Sequence, residues 1–347
     1  MPATIPYLFI LLACARSASV DRPADWPVST PLEEGMDGAK LTELDDHIRA
    51  HLPHLRSLLI ARHGRLVFEK YYGDALLGTL QNVQSMTKSV SSALVGIALK
   101  KGLISSLENR ALEYFPEYRD VPSDPRMGEI TIKELLTMSS GIDEAPLSFD
   151  QAVANPLQEI LRQRLTFSPG HGFRYSSAGA HLLGGVLRKA TGKTPLEFAN
   201  AALFSPLGMN HVEWYADKTG LQSGGMSGLF RARDILKLGE LYLRRGRWGQ
   251  LQLIAPEYVA DSVKVQNQGE FYGEPARYGY MWWIAGIGGH DGFYARGYGG
   301  QYLMVLPDLD LVVLCTSDWQ RPEYPDHFAL IQSFILPALN HASSGLN

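Results

Sequence analysis

Gln81-Asn-Val-Gln-Ser85-Met-Thr-Lys88-Ser-Val-Ser-Ser-Ala-Leu-Val-Gly-Ile-Ala-Leu99 is the segment from which the rest of the chain is read. It begins polar, passes Ser85 and Lys88, and continues apolar on nearly every side, which is the pattern of a helix in the middle of a domain. Lys100 and Lys101 suit the negative end of the helix dipole, and Gly102 suits the C′ position. Ser85 and Lys88 therefore fall at the N-terminus of a buried helix, three residues apart on one face.

That placement has a chemical use. A serine hydroxyl is a poor nucleophile until a neighbour takes its proton. A lysine on the same helix face is within reach, and apolar surroundings push an amine toward its neutral form. The helix N-terminus adds free N–H groups and a positive dipole end beside an oxyanion. Spacing alone is weak, since 25 serines and 11 lysines in 347 residues give roughly 0.8 such pairs by chance. An ordinary helix start, with a serine near the cap and a solvated lysine, accounts for the pair as well as catalysis does.

The length suggests two domains, or one large α/β body with an insertion. Hydrophobic residues make up 45% and charged residues 20%, which supplies an ample core, and a net charge of −4 without a long basic run argues against a nucleic-acid partner. The two cysteines, Cys14 and Cys315, cannot form a disulfide framework, and Cys315 sits in the apolar run Leu311-Val-Val-Leu-Cys-Thr316 as a buried thiol. Residues 7–15 are too short to span a bilayer and suit a signal-peptide core. Ala13-Cys14-Ala15 offers a cleavage site, and Leu11-Leu-Ala-Cys14 looks like a bacterial lipoprotein box, which makes Cys14 a candidate lipid anchor. No Lys or Arg precedes the run, which weighs against export. The balance favours an exported chain, periplasmic or lipid-anchored, over a cytoplasmic one, with residues 1–20 as the leader.

Leu41, Leu44, Ile48 and Leu52 share one face of a helix over residues 39–52. His47 and His51 on that helix have a spacing metals can use, but no third ligand is identifiable, so a polar face is the better reading and no metal site is expected. Residues 57–72 read as a β-hairpin turning at His63-Gly64. The chain from Ile130 to about Met209 is mainly helical. Thr191-Gly-Lys-Thr194 lacks the upstream glycine of a phosphate loop, since position 187 is Leu, and nucleotide binding is rejected. Arg231 to Leu243 is amphipathic. Tyr302–Leu306 and Leu311–Thr316 are near-continuous apolar strands, which imply a sheet covered on both faces, and a last helix from about His327 to Leu339 covers one of them.

Phe173-Arg-Tyr175-Ser-Ser177 places a tyrosine just before a helix, where packing is its commoner role. Arg296-Gly-Tyr-Gly-Gly300-Gln301 leads into a strand; its glycines mark either a close approach to the backbone or a flexible turn. His290 and Asp291 invite a Ser-His-Asp reading with Ser85. Adjacent residues in one turn point differently, and no Gly-x-Ser-x-Gly elbow exists in the chain.

Taken together, Ser85-Met-Thr-Lys88, Ile130-Thr-Ile-Lys-Glu-Leu-Leu-Thr-Met-Ser-Ser-Gly141, Tyr175-Ser-Ser177, Ser205-Pro-Leu-Gly-Met209 and Gly297-Tyr-Gly-Gly300 resemble the serine β-lactamase and penicillin-binding-protein family, in order, from about Leu32 to Leu339. The likeness is to the class C branch with its esterases and 6-aminohexanoate-dimer hydrolases. It implies an α/β (α+β) fold: an antiparallel sheet flanked by helices on both faces, formed by residues 32–129 and 215–347, with a mainly helical insertion at 130–214. It also implies that Ser85 is the acylated nucleophile, Lys88 its proton acceptor or the group that tunes it, and Tyr175, with that lysine, the proton shuttle, with the N–H groups of Ser85 and Gly300 as oxyanion hole. Ser177 stands where many members have Asn. Gly297, Tyr298 and Gly299 replace the usual Lys-Thr-Gly or His-Thr-Gly, and with Ser177 and Trp283 they are the expected substrate contacts.

The lysine missing at 297 ordinarily meets a substrate carboxylate, a contact that matters by about 1.5–3 kcal/mol. Arg296 is adjacent, but strand alternation should turn it to the opposite side. The expected activity is therefore a cofactor-free serine hydrolase of small esters, amides or peptides. A D-alanyl-D-alanine carboxypeptidase or β-lactamase is the alternative, and a non-catalytic binding protein on the same fold a further one. The sequence leaves the natural substrate and the oligomeric state open.

Overall fold

The computed structural model describes residues 26–143, 153–321 and 326–339; the leader-like segment and Cys14 lie outside the described residues. In chain order the elements begin with α1 (Gly38–His51), the hairpin β1 (Leu55–Arg62) and β2 (Arg65–Tyr71), a short β3 (Gln81–Asn82) and α2 (Thr87–Lys100). Next come α3 (Ile132–Leu136), α4 (Pro156–Leu161), α5 (Ser177–Thr191) and α6 (Pro195–Ala199). β4 (Val212–Trp214) and β5 (Gly228–Phe230) precede α7 (Ala232–Leu243), the small hairpin β6 (Arg247–Trp248) and β7 (Leu251–Gln252), and α8 (Pro256–Ser262). A run of strands follows: β8 (Asn267–Phe271), β9 (Glu274–Tyr278), β10 (Trp283–Ile287), β11 (His290–Gly297), β12 (Gln301–Leu306) and β13 (Leu311–Ser317). α9 (His327–Leu330) and α10 (Leu336–Leu339) close the described chain.

Eight of these strands form one antiparallel sheet in the order β2-β1-β13-β12-β11-β10-β9-β8, the α/β architecture that the resemblance implied. Every residue of β12 and β13 is buried, so the period of two is hidden in the sequence. It reappears in the packing. Leu303, Val305, Val312 and Leu314 face a core shared with α2, α5 and α7, while Met304, Leu306, Val313 and Cys315 face a second core under α1 and the C-terminal helices. Burial pushes the Cys315 thiol up to about 12, and it packs as a small apolar group. On α1, the rings of His47 and His51 meet at a tilt, 4.8 Å apart, and His47 packs on Phe334.

α2 runs through the larger core. Its serines, which the apolar reading passed over, each find a partner there: Ser89 donates to the Met281 carbonyl at 2.7 Å, Ser91 to the Gly224 carbonyl at 2.7 Å, and Ser92 pairs with the Tyr258 hydroxyl at 3.1 Å. Buried hydroxyls satisfied this way fix the helix in place as well as bury it. The helix ends in a Schellman turn: Gly102 is left-handed at φ +69°, its N–H meets the Leu99 carbonyl, and the Leu103 N–H meets that of Ala98.

Candidate active site

Ser85 sits in a single 3₁₀ turn, Gln84–Met86, that leads into α2. Gln84 just before it has φ +51°, a left-handed backbone that side chains other than glycine rarely adopt. Neighbours hold it there. The Asn82 side-chain oxygen accepts from the Gln84 N–H at 3.0 Å, and the Thr87 hydroxyl donates to the Gln84 carbonyl at 2.6 Å while accepting from the Gly228 N–H at 3.1 Å. The bend lifts Ser85 out of the core, so its side chain is half-buried while Lys88 behind it is 1% exposed.

The Lys88 amine is a hub. It lies 3.0 Å from the Ser85 hydroxyl, 2.9 Å from the Ser177 hydroxyl and 2.8 Å from the Gly225 carbonyl. The ring of Tyr175 lies 4.6 Å from the same nitrogen. Ser177 is the first residue of α5, whose start is capped by Ser176 accepting from the Gly179 N–H at 2.9 Å. Two helix N-termini thus converge on one amine.

Tyr175 is held by other rings. It stacks on Trp283 at 5.5 Å, leans on Phe271 at 4.8 Å and meets Tyr278 edge-on at 6.2 Å. Ser85, Tyr175, Ser177, Phe271, Trp283 and Arg296 are among the residues that line a cleft of about 480 Å³, and Gly297 and Tyr298 line it too.

The turn from Gly297 to Gly300 forms another wall. A Cβ at Gly297 would lie 2.2 Å from the Val83 carbonyl oxygen, so the approach of the strand to the start of α2 leaves no room for a side chain. Past it, the carbonyls are pinned from behind. The Gln301 amide donates to the Gly299 carbonyl at 3.1 Å and the Ser317 carbonyl at 2.8 Å, and His327 Nε2 donates to the Gly300 carbonyl at 3.1 Å. Burial lowers His327 to about 4, so its ring is neutral, and because a carbonyl only accepts, the proton is on Nε2.

Ser85, Lys88, Tyr175, Ser177, Gly297, Tyr298 and Trp283 come together around this cleft; Gly299 and Gly300 lie in the adjoining turn. Ser177 lines the cleft as expected of a substrate contact, and its hydroxyl also engages the Lys88 amine; the residue is 2% exposed. Arg296 differs from its expected place. Strand alternation does pair it with Tyr302, yet its long side chain reaches over Phe271 into the cleft wall. His290 is far from the hub and pairs with Asp308 at 2.5 Å, so no Ser-His-Asp set forms. Among the described residues, no cluster of His, Cys, Asp or Glu is arranged to hold a metal.

Sequence reading missed Gln84, Thr87, Gly225, Phe271 and His327. The Gly224-Gly225 pair was a readable sign of close backbone approach. The others carried no signal, because their roles arise from long-range packing.

Residues 44–333 match the family model described as Beta-lactamase. An Escherichia coli (strain K12) protein assigned provisionally as a D-alanyl-D-alanine carboxypeptidase is 27% identical over 249 residues, covering 61% of this chain and 55% of that protein. Esterase EstB of Burkholderia gladioli is 29% identical over 176 residues, 44% of each chain. The matched stretches thus span about half the length of these curated relatives. Among solved structures, a Bacillus anthracis protein assigned provisionally as a 6-aminohexanoate-dimer hydrolase superposes with TM-score 0.72 at 20% identity, covering 92% of this chain and 88% of that one. A family match over most of the sequence, on a fold shared with that hydrolase-like structure, means that the chain belongs to the beta-lactamase family.

Proposed function

We propose that the protein is a serine hydrolase that cleaves esters or small amides through an acyl intermediate on Ser85. The observation that carries this reading is the Lys88 amine, 3.0 Å from the Ser85 hydroxyl and anchored on its far side by Ser177 and Gly225. In the neutral amine, two N–H groups serve the Gly225 carbonyl and the Ser177 hydroxyl, and the lone pair faces Ser85. Ser85 Oγ attacks the substrate carbonyl carbon as its proton passes to Lys88 Nζ. The N–H groups of Ser85 and Gly300 receive the oxyanion, a contribution worth about 10²–10³ in rate per donor. The carbon–oxygen or carbon–nitrogen bond then breaks, and the proton passes through Tyr175 to the leaving group. A water then gives its proton to Lys88 and its hydroxide to the acyl carbon; the bond from that carbon to Ser85 Oγ breaks, the acid leaves, and Lys88 returns the proton to Ser85.

The likeness to Esterase EstB supports the ester reading, and the likeness to the Escherichia coli relative supports a peptidase. The crowding at Gly297 favours the former, because the family's carboxylate-binding lysine has no space there. The test is Ser85→Ala assayed on a panel of p-nitrophenyl esters, amide dimers and nitrocefin. The wild type is expected to turn over short esters, with the variant at background. Undiminished ester turnover by the variant would defeat the proposal, and nitrocefin turnover above ester turnover would move it to the β-lactam reading.

A further inference from the structure

We infer that Arg296 forms a carboxylate-binding subsite in the cleft wall, so that the preferred substrates of Ser85 are esters or amides carrying an anionic group on a flat or apolar body. This inference rests on the hydrolase reading above.

Among the described residues, three charged side chains line the cleft: Arg174, Glu270 and Arg296. Arg174 is neutralised by Asp143 at 2.5 Å. Glu270 is exposed, and water screens its charge. Arg296 is different. It is half-buried, and its guanidinium lies 5.5 Å from the ring centre of Phe271 and 5.8 Å from that of Tyr302. Among the described residues it forms no ion pair.

Two aromatic rings therefore hold a flat cation in place without cancelling its charge. The N–H fork of a guanidinium matches a carboxylate in two parallel hydrogen bonds, which a point-charge ammonium does not reproduce. Because the side chain is already ordered by its rings, little rotamer freedom remains to be lost on binding. The adjoining wall of Tyr175, Phe271 and Trp283, in the cleft that Ser85 and Arg296 also line, presents the ring surfaces against which a flat body would lie.

The chemistry commits to a carboxylate and leaves open whether it belongs to the acyl or the leaving side, so the test uses one pair of each. On the acyl side, p-nitrophenyl 4-carboxybenzoate is compared with p-nitrophenyl 4-carbamoylbenzoate. On the leaving side, 3-acetoxybenzoate is compared with 3-acetoxybenzamide. The readout is the carboxylate-to-carboxamide ratio of kcat/KM, in the wild type and in Arg296→Gln and Arg296→Lys. In at least one pair the ratio is expected to fall about 10- to 100-fold in Arg296→Gln, mainly through KM, with Arg296→Lys in between. If Arg296→Gln is not obtained folded, the same ratio measured in the wild type must fall with added salt. Turnover of the carboxamides with Ser85 acylated, but neither ratio moved by substitution or salt, overturns the subsite alone. No turnover of any of the four compounds, and no adduct on Ser85, overturns the hydrolase reading and the subsite with it.

Discussion

The amine of Lys88 stands 3.0 Å from the hydroxyl of Ser85 and, on its other side, 2.8 Å from the carbonyl of Gly225. The carbonyl can only accept, so it commits one N–H and turns the amine toward the serine. Lys88→Arg puts a permanent cation in the hub and removes the group able to take a proton. It is expected to lower kcat/KM on p-nitrophenyl butyrate by about 10³-fold. Steady-state kinetics beside a thermal melt check this; a folded Arg variant within tenfold of wild type would remove Lys88 from the proton path.

Ser177 is expected to act through Lys88 more than through substrate. Ser177→Ala takes away one of the oxygens around the amine, at 2.9 Å, and leaves the wall of the cleft almost unchanged. The loss of a buried hydrogen bond to a charged or charging group predicts a roughly tenfold fall in kcat with KM little altered. A rise in KM at constant kcat would return Ser177 to the role of a substrate contact.

His327 braces the turn that carries the proposed second oxyanion donor, through the Gly300 carbonyl at 3.1 Å. His327→Ala is expected to lower kcat by about 10-fold or more, while His327→Gln, which can donate to the same carbonyl, restores part of it. The ring also sets an acid limit. Burial outweighs the hydrogen bond to Gly300 and the charge of Asp326, lowering the folded-state value from 6.5 to about 4. The unfolded chain therefore binds the extra proton first, so stability is full above pH 6.5 and falls as pH drops toward 4, by on the order of 3 kcal/mol. Urea melts across that window should show a shallower acid-side loss in His327→Gln than in wild type; equal slopes would mean that His327 does not titrate between those limits.

Gly297 is expected to resist the family's usual lysine. With the Val83 oxygen 2.2 Å from where Cβ would sit, Gly297→Lys must move the strand or the start of α2. The variant should melt lower, by roughly 1–3 kcal/mol of stability, lose ester turnover and gain no nitrocefin turnover. A stable variant that hydrolyses nitrocefin would show that the crowding is easily relieved.

The sequence made the local features plain and left the long-range ones hidden. Ser85 and Lys88 were legible because helix periodicity places them together. The hairpin at His63-Gly64 was legible from its turn, and the paired strands β12 and β13 from their unbroken apolar runs. Arg296 was misread because alternation fixes where a strand residue starts, not how far a long side chain reaches around a neighbouring ring. Gln84 could not be read at all. A left-handed glutamine has no sequence signature, and its conformation depends on Asn82, Thr87 and Gly228 meeting only in the folded chain.

The most direct test of the account is the intact mass of the protein quenched during turnover of a slow ester, followed by peptide mapping. The account predicts an added acyl mass on the peptide that contains Ser85, absent in Ser85→Ala and slow to form in Lys88→Arg. Turnover of the ester with no acyl mass on that peptide, or with the mass on another residue, would contradict it.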